Sequence, residues 1–344
     1  MKLFFNILFF IAFVLIMQAC KQQPDKADEN NELPYIKYSN LPNIIENPDN
    51  KITFDKAELG RHLFFENELS RDKTMSCSIC HQPKNAFTSK GMPLSYTSGG
   101  LSDSRNVPPI FNIGFYTTYN WDGHSTSLED MIHQDFTAIT IFQNNIDTVV
   151  RRISDIPKYK QLYFKAYGTD KITIEGLTDA IATFVRTIIS GNSKYDKYVR
   201  GEKSALNESE IRGMKLFMSD RAQCSVCHTP PLFTDLKFHN TAITTHYFDF
   251  GRYYVTKDYK DRGKFRTPTL RNIAVTPPYM HNGELETLED VIEHYSHGGR
   301  PFINKSEFIK KRNFTIGERR DLIAFLKALT DSTLITSERY EDIK

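Results

Sequence analysis

The stretch Cys77-Ser-Ile-Cys80-His81 decides the architecture of this chain, and it recurs as Cys224-Ser-Val-Cys227-His228. In each copy two cysteines are three residues apart, and a histidine follows the second cysteine directly. This spacing is typical of covalent c-type haem attachment, in which both thiols bond to the porphyrin and the imidazole ligates the iron. A disulfide or half of a zinc site would also use the paired cysteines, but neither explains the adjacent histidine. The sequence therefore predicts two covalently bound haem c groups.

Both haem motifs lie within a longer duplicated frame. Gly60–Phe64 before the first motif matches Gly213–Phe217 before the second, with glycine, leucine and phenylalanine at equal spacing. Downstream, Trp121–Ile132 matches His281–Ile292, because a turn glycine is followed by Leu-Glu-Asp at the same distance in both. The repeat is too long for a solenoid, so two related haem domains are the economical interpretation.

The apolar periodicity predicts a mostly α fold with long loops. Helical spacing begins near Thr53 and near Asn207, where Asn207 and Glu210 resemble a capping box, and it recurs over 174–189. A last helix begins at the box formed by Thr315 and Glu318, and few alternating runs favour a sheet. The prediction is two related c-type cytochrome domains with a haem in each, arranged as an N-terminal haem domain over 51–200, a C-terminal haem domain over 201–335 and a tail over 336–344.

The first twenty residues are typical of an export signal. Lys2 precedes an apolar run over 3–17 that is short for a spanning helix and ends just before Cys20. We therefore expect a lipoprotein-type signal over 1–20, acylated at Cys20, followed by a flexible tether over 21–50. An uncleaved N-terminal anchor is the alternative. In either case we expect an exported, membrane-tethered protein whose body lies in the periplasm.

The charge balance excludes one class of partner. The chain has 44 basic and 42 acidic residues, and without Lys2 the 43 basic residues leave a net charge of about +1. A chain with so small a net charge does not produce the strong positive electrostatic potential that would bind nucleic acid. Phenylalanine and tyrosine are abundant, at 25 and 17 residues, whereas Trp121 is the single tryptophan.

The second axial position of each iron decides its chemistry, because a sixth protein ligand favours electron transfer and an open position admits peroxide. The segment 293–297 offers His294, Tyr295 and His297 at a glycine-rich turn, although incidental histidines on a surface turn are the alternative. In the first half the repeat aligns Asp135 with Tyr295. We therefore expect Tyr295 to close the second haem, and the first haem to be open with Asp135 or His133 on its distal side.

In combination these motifs resemble the bacterial di-haem cytochrome c peroxidases and their MauG-type relatives, over about 57–329. The stretches that carry the resemblance are Leu59–Phe65, Cys77–His81, Ser104–Pro108, Trp121–Gly123, Cys224–His228, Thr267–Asn272 and Tyr279–Gly283. The resemblance implies a peroxidase that reduces hydrogen peroxide at the His81 haem, with electrons entering at the His228 haem. The donor would be a small protein, either a c-type cytochrome or a cupredoxin. Dimerisation is common in the family, so a homodimer is a possible assembly.

The resemblance also implies roles for residues outside the haem motifs. Trp121 falls on the family's electron relay between the haems, and His281 falls near the electron-accepting haem. Tyr295 stands where the classical peroxidases have methionine and the MauG-type enzymes have tyrosine, and a phenolate lowers the haem potential. Asparagine and carbonyl oxygens suit calcium. The implied calcium ligands between the haems are Asn106, Thr276 and Pro278.

Two departures from the family pattern bear on the reaction. The classical peroxidases cap the peroxidatic iron with a histidine before the Arg-Asn motif, yet residues 82–104 contain none, which favours a permanently open first haem. The family's distal glutamine and glutamate fall near Met131 and Ile141, neither of which transfers protons. Substitutes nearby are Asp135, His133 and Gln143, although a solvated loop carboxylate is an equally simple interpretation of Asp135. MauG-type oxidation of a partner protein and non-enzymatic electron transfer therefore stand as alternatives to peroxidase activity.

Overall fold

The computed structural model describes residues 34–89, 91–94, 105–139, 141–246 and 248–342. The predicted signal and the first part of the predicted tether lie outside these residues. The described residues form one compact unit that is mostly helical, which confirms the predicted fold class. No helix in the described ranges has the length and apolar character needed to cross a membrane.

Short helices joined by long loops build the unit. In chain order the α-helices are α1 (Phe54–Phe64), α2 (Cys77–Cys80), α3 (Leu128–Thr137), α4 (Ile146–Ser154), α5 (Pro157–Tyr167), α6 (Ile174–Arg186), α7 (Lys194–Val199), α8 (Glu208–Phe217), α9 (Tyr253–Thr256), α10 (Leu288–His297), α11 (Ile316–Lys327) and α12 (Ser332–Ile335). Two short strands, β1 (Phe238–His239) and β2 (Phe265–Arg266), pair antiparallel in the C-terminal half.

The N-terminal half is built on the crossing of α1 and α6. Thr53 caps α1 by accepting the N–H of Lys56 at 3.3 Å, and Leu63 and Phe64 face the core. The crossing lies at Gly60, where a Cβ atom would collide with the backbone carbonyl of Ala180. Only glycine permits so close an approach of the two helices.

The C-terminal half repeats this crossing with α8 and α11. Capping boxes begin both helices, at Asn207 with Glu210 and at Thr315 with Glu318, as predicted from the sequence. Gly213 lies at the crossing and would collide through a Cβ atom with the carbonyl of Asp321. The glycine of the repeated sequence block is therefore the contact point of a repeated helix pair.

A matching cluster of three phenylalanines fills the core of each half. Phe64 lies 6.3 Å from Phe87 and 5.2 Å from Phe184 between ring centroids. The equivalent rings are Phe217, Phe233 and Phe325, with centroid separations of 6.1 Å and 5.2 Å from Phe217. These clusters support the segments that carry the haem motifs.

The two halves exchange short segments. Asp196 on α7 forms a fully buried ion pair with Arg271, and its neighbour Tyr195 packs in the C-terminal core. In the opposite direction, Leu334 and Tyr340 pack in the N-terminal core. The division predicted at residue 200 and the tail predicted from 336 stay predictions, but packing crosses both positions.

Residues 34–50, predicted as part of a flexible tether, lie against the N-terminal half. Tyr38 and Ile44 pack on its core, and Ile45 donates its N–H to the carbonyl of Gly114 at 2.9 Å. The buried side chain of Asn50 donates to Glu129 at 2.8 Å. The described end of this segment is thus held by side-chain and backbone contacts.

Candidate active site

Each haem motif forms a tight turn in front of its histidine. The first lies on α2, and the N–H of His81 donates to the carbonyl of Cys77 at 2.8 Å. The second is a 3-10 turn over Cys224–Val226, and the N–H of His228 donates to Cys224 at 2.9 Å. The four cysteines of the two motifs are partly buried and form no disulfide, so they fit thioether attachment to haem.

Both histidines are held in one orientation by a backbone carbonyl. Nδ1 of His81 lies 3.0 Å from the carbonyl oxygen of Phe87, and Nδ1 of His228 lies 3.1 Å from that of Phe233. Both phenylalanines are buried with positive φ (58° and 55°), which is rare for a bulky residue and turns the carbonyl back. Donation by Nδ1 leaves Nε2 as the lone-pair nitrogen that would bind the haem iron.

Burial keeps these two imidazoles neutral, as an iron ligand must be. Desolvation lowers the pKa of His81 to about 4 and also lowers the pKa of His228. The two cysteine pairs and the two oriented, neutral histidines together form a donor set that fits haem c twice.

Asp135 lies on α3 on the side of the first haem motif. Burial raises the pKa of this carboxyl group to about 7, and the attraction of His124 partly opposes the rise. Burial also raises the pKa of the Cys77 thiol, with the nearby charge of Asp135 as the next cause. Asp135 is therefore a partly buried carboxyl group on a helix, and its charge acts on the first haem motif. His133, two residues earlier on α3, is partly buried, and within the described residues no hydrogen bond or ion pair assigns it a role.

His124 is a candidate residue that the sequence did not single out. Its Nδ1 lies 2.7 Å from Asp122, and its Nε2 lies 2.9 Å from the side-chain nitrogen of Asn120. The hydrogen bond with Asp122 raises the pKa of His124. Its side chain is 43% exposed, and its charge lowers the pKa of Asp135. The adjoining Trp121-Asp-Gly123 motif is the only sequence signal near it.

On the equivalent helix α10, two of the three candidate ligands are engaged elsewhere. Nε2 of His294 lies 3.0 Å from the carbonyl of Thr241, and the exposed His297 lies 3.1 Å from the carboxylate of Glu293. Tyr295 is partly buried, with its ring edge-on to His294 at 5.2 Å. Tyr295 also makes contacts of its own and stays the predicted axial ligand of the second haem.

Trp121, Asn106 and His281 meet where the two halves join. The indole N–H of Trp121 donates to the carbonyl of Asn106 at 2.7 Å, and the N–H of Asn106 donates to the carbonyl of His281 at 2.7 Å. The ring of Phe265 stacks on His281 at 3.6 Å between centroids and packs in one cluster with Trp121. Trp121 and His281 hold equivalent positions in the two copies of the repeat, and the structure brings these two residues together at the junction of the halves.

An ion network missed by sequence reasoning fixes this junction. Arg105 donates to Asp122 at 2.8 Å and to both oxygens of Asp249 at 2.6 and 3.0 Å. Its guanidinium also lies 5.6 Å from the ring centroid of Phe265. Arg105 and Asp122 belong to quoted motifs, but nothing in the sequence signals Asp249 as their partner.

Comparison with known proteins establishes the family. The sequence pattern of the di-haem cytochrome c peroxidases matches residues 54–204. The methylamine utilization protein MauG of Methylorubrum extorquens is 35% identical over 84% of this chain and 82% of its own. The chain belongs to the di-haem cytochrome c peroxidase family. Membership carries haem cofactors and oxidoreductase chemistry with it.

Both branches of the di-haem cytochrome c peroxidase family are among the relatives. Cytochrome-c peroxidase IdrP1 of a Pseudomonas species is 33% identical over 85% of both chains. The crystal structure of a MauG-like protein associated with microbial copper homeostasis superposes with a TM-score of 0.85 at 34% identity, covering 89% of this chain and 98% of that chain. The di-haem peroxidase BthA of Burkholderia thailandensis, at 22% identity and a TM-score of 0.72, shares the fold over 86% of this chain and 91% of its own.

In this family member, the three residues implied as calcium ligands all offer oxygen atoms as ligands. The side-chain nitrogen of Asn106 donates to the carbonyl of Pro93 at 3.0 Å. Thr276 and Pro278 are buried, and Pro278 follows a cis peptide bond. Carbonyl and amide oxygens fit a hard cation, so the donor types agree with calcium.

A charged pair lies beside the second haem motif of this family member and has no counterpart beside the first. Nε2 of His239 lies 2.9 Å from the carboxylate of Asp235, and both side chains lie near Cys227. Among the described residues, these three form the one group of side chains that could together ligate a metal ion. The hydrogen bond that His239 donates to Asp235 is the main cause that raises the pKa of His239 to about 9. Counted from the equivalent residues Phe87 and Phe233, the first half has Ser89 and Pro93 at the positions of Asp235 and His239.

Proposed function

We propose that this protein reduces hydrogen peroxide to water at the site around His81, with electrons entering at the site around His228. The observation that carries the proposal is the difference between two equivalent helices: α3 offers Asp135 where α10 offers Tyr295. Haem supplies a peroxide-binding iron where an axial position is open, and electron transfer where both positions are filled. A phenolate can fill that position, whereas Asp135 contributes a titratable group of pKa about 7.

Asp135 moves the proton in this proposal. Cleavage of the O–O bond needs a base that takes a proton from one peroxide oxygen and delivers it to the other, which leaves as water. A carboxyl group with a pKa of about 7 populates both protonation states near neutral pH, so it can take and return the proton. His124 links this carboxyl group to solvent, because it is partly exposed and interacts electrostatically with Asp135.

Trp121 is the proposed electron relay between the two sites. It is buried at the junction of the halves, its indole N–H is bonded to Asn106, and its ring packs with Phe265. Asn106 in turn is bonded to His281, so a short chain of hydrogen bonds joins the two halves at this point. The external donor would be a small c-type cytochrome or cupredoxin.

Absorption and EPR spectra of the oxidised holoprotein test the proposal. We expect one high-spin ferric signal from the open His81 site and one low-spin signal from the Tyr295-ligated site. Replacing Tyr295 with Phe should abolish the low-spin signal, whereas replacing His294 with Gln should leave it. A purely low-spin spectrum of the unmodified protein would contradict an open first haem.

MauG-type oxidation of a partner protein is the second candidate. Tyr295 favours it, since MauG-type enzymes have tyrosine at this position, and the chain is 35% identical to a MauG protein. Steady-state peroxide consumption with a reduced small cytochrome separates the candidates. Rapid turnover supports the peroxidase, and oxidation of a co-encoded protein without such turnover supports the MauG-type reaction. A non-enzymatic electron carrier would do neither.

We further propose calcium between the haems and a lipid anchor in the periplasm. Metal analysis of the purified protein should find calcium, and the content should fall in Asn106→Ala. Fatty-acid labelling should be lost in Cys20→Ser, with the protein then released in soluble form from the periplasm. Gel filtration with light scattering will show whether the protein is a homodimer.

A further inference from the structure

A cluster of aromatic rings connects the buried Trp121 with the protein surface. We call Phe250, Tyr253, Tyr254 and Tyr259 the surface aromatic cluster. Phe250 is its inner end, because it packs against the core group that contains Trp121. The cluster lies in the loop and short helix α9 between β1 and β2.

The rings of the cluster follow one another at contact distance. Phe250 lies 6.0 Å from Tyr253 and 5.8 Å from Tyr254 between centroids, and Tyr253 lies 5.4 Å from Tyr259. These are ordinary separations for interacting aromatic pairs. The outer end reaches solvent, since Tyr254 is 46% exposed and Tyr259 is 71% exposed.

Two arginines hold the cluster over the Trp121 loop. Arg252 donates to the backbone carbonyls of Asp122 and Gly123, both at 2.8 Å. The guanidinium of Arg262 lies 4.2 Å from the ring centroid of Phe250 and 6.0 Å from that of Tyr259. The rings are therefore positioned by contacts to the residues that adjoin Trp121.

Packing alone does not explain the outer tyrosines. Tyr254 and Tyr259 leave much of their surface in water, so they bury little apolar area for the stability of the fold. We infer that the surface aromatic cluster carries oxidising equivalents from Trp121 to the protein surface. This inference rests on the proposed reaction with peroxide, which supplies the oxidant.

The electron balance of this step is complete. Hydrogen peroxide takes up two electrons and two protons and yields two waters. Two tyrosine phenols each give up one electron and one proton and become neutral tyrosyl radicals. Electrons pass inward from Tyr259 through Tyr253, past Phe250, to Trp121, and the proton of the exposed phenol passes to water. An external one-electron donor such as a phenol then restores the tyrosine without entering the buried site.

The experiment treats the full holoprotein with hydrogen peroxide in the absence of donor. Freeze-quench EPR detects tyrosyl radicals, and peptide mapping by mass spectrometry locates dityrosine and oxidised tyrosine. We expect products at Tyr259 and Tyr254. In the double variant Tyr253→Phe/Tyr254→Phe, which keeps both rings, the product at Tyr259 should be lost. Peroxide should still be consumed with a reduced small cytochrome, whose electrons enter at the His228 site.

Tyr198 provides the matched control. It is partly buried, lies outside the cluster and has the ammonium of Lys203 4.4 Å from its ring centroid. Tyr198→Phe should leave the product at Tyr259 unchanged. Equal oxidation of Tyr198 and Tyr259 in the unmodified protein, or persistence of the Tyr259 product in the double variant, would overturn the inference. Peroxide consumption without any tyrosine product overturns this inference alone, whereas no peroxide consumption overturns the proposed function together with it.

Discussion

Asp135 and Tyr295 occupy the same position in a repeated helix, and the chemistry proposed for each haem depends on that single difference. Burial raises the pKa of Asp135 because its pocket offers little solvation for the charged form. No described arginine or lysine lies near enough to oppose the rise, and only His124 does so in part. The result is an acid that titrates near neutrality.

Replacing Asp135 with Asn should lower peroxide turnover by about 100-fold, because an amide cannot accept the proton. In the unmodified protein, turnover should rise with pH through about 7, since the base must be deprotonated to act. The variant should lose this dependence in a pH–rate profile. Asp130→Asn, at an exposed position of the same helix, is the control and should retain the profile.

The same pKa shift predicts an effect on stability. The folded protein holds the proton of Asp135 more tightly than the unfolded chain does, so protonation favours folding. This contribution is complete below the ordinary pKa of 3.8 and is lost as pH rises through about 7. Urea unfolding of Asp135→Asn should therefore show a weaker loss of stability between pH 5 and 8 than the unmodified protein shows.

Replacing His124 with Gln should move the midpoint of the pH–rate profile to higher pH. The attraction of His124 lowers the pKa of Asp135, so its removal lets the pKa rise further. The measurement is peroxide consumption across the pH range in both proteins. An unchanged midpoint would show that His124 does not act on the group that limits turnover.

At the scale of secondary structure, the repeat is expressed as two helix crossings that each require a glycine. Gly60 on α1 faces the backbone of α6, and Gly213 on α8 faces the backbone of α11. Both helix pairs support a phenylalanine cluster that packs under a haem motif. The distance between the paired helices therefore affects the position of the turns that carry His81 and His228.

Replacing Gly60 with Ala should destabilise the protein by about 1–3 kcal/mol, because the added methyl group forces α1 away from Ala180. Gly213→Ala should behave in the same way. Gly317→Ala on α11 is the control, since its Cβ atom would meet only the Thr315 hydroxyl, at 4.0 Å. Equal unfolding free energies in denaturant for Gly60→Ala and Gly317→Ala would refute the close crossing.

At the scale of the whole molecule, segment exchange ties the halves into one unit. Asp196 lies before the predicted boundary but pairs with Arg271 through two bonds of 2.8 and 2.9 Å. Tyr340 lies near the C-terminus but donates its hydroxyl to the carbonyl of Thr187 at 3.1 Å. Each half thus completes its core with residues that belong, by position in the sequence, to the other half.

Replacing Asp196 with Asn should cost about 3–5 kcal/mol, because Arg271 would remain buried without its countercharge. Burial by itself raises the pKa of Asp196, but Arg271 outweighs it, and the net pKa is lowered. The pair's stabilisation is present above the ordinary pKa of 3.8 and is lost as pH falls through the folded value. Arg212→Gln, which breaks an exposed pair with Asp321, is the control and should leave the free energy of unfolding nearly unchanged in the same assay.

The sequence by itself determined the features that depend on neighbouring residues. The haem motifs, the capping boxes at Asn207 and Thr315 and the repeat that aligns Asp135 with Tyr295 are all local patterns. Their chemistry follows from residue type and spacing, and the helix starts among them are confirmed in the structure. The mostly α fold follows from the same periodicity.

Only the tertiary structure decided what depends on distant partners and on burial. Arg105 and Asp249 are 144 positions apart, and no local pattern predicts their contact. The carbonyl that orients His81 is available because Phe87 adopts a positive φ, which packing imposes. The pKa of Asp135 likewise reflects the removal of water by side chains from several elements, and a sequence does not state which of its polar groups will lose their water.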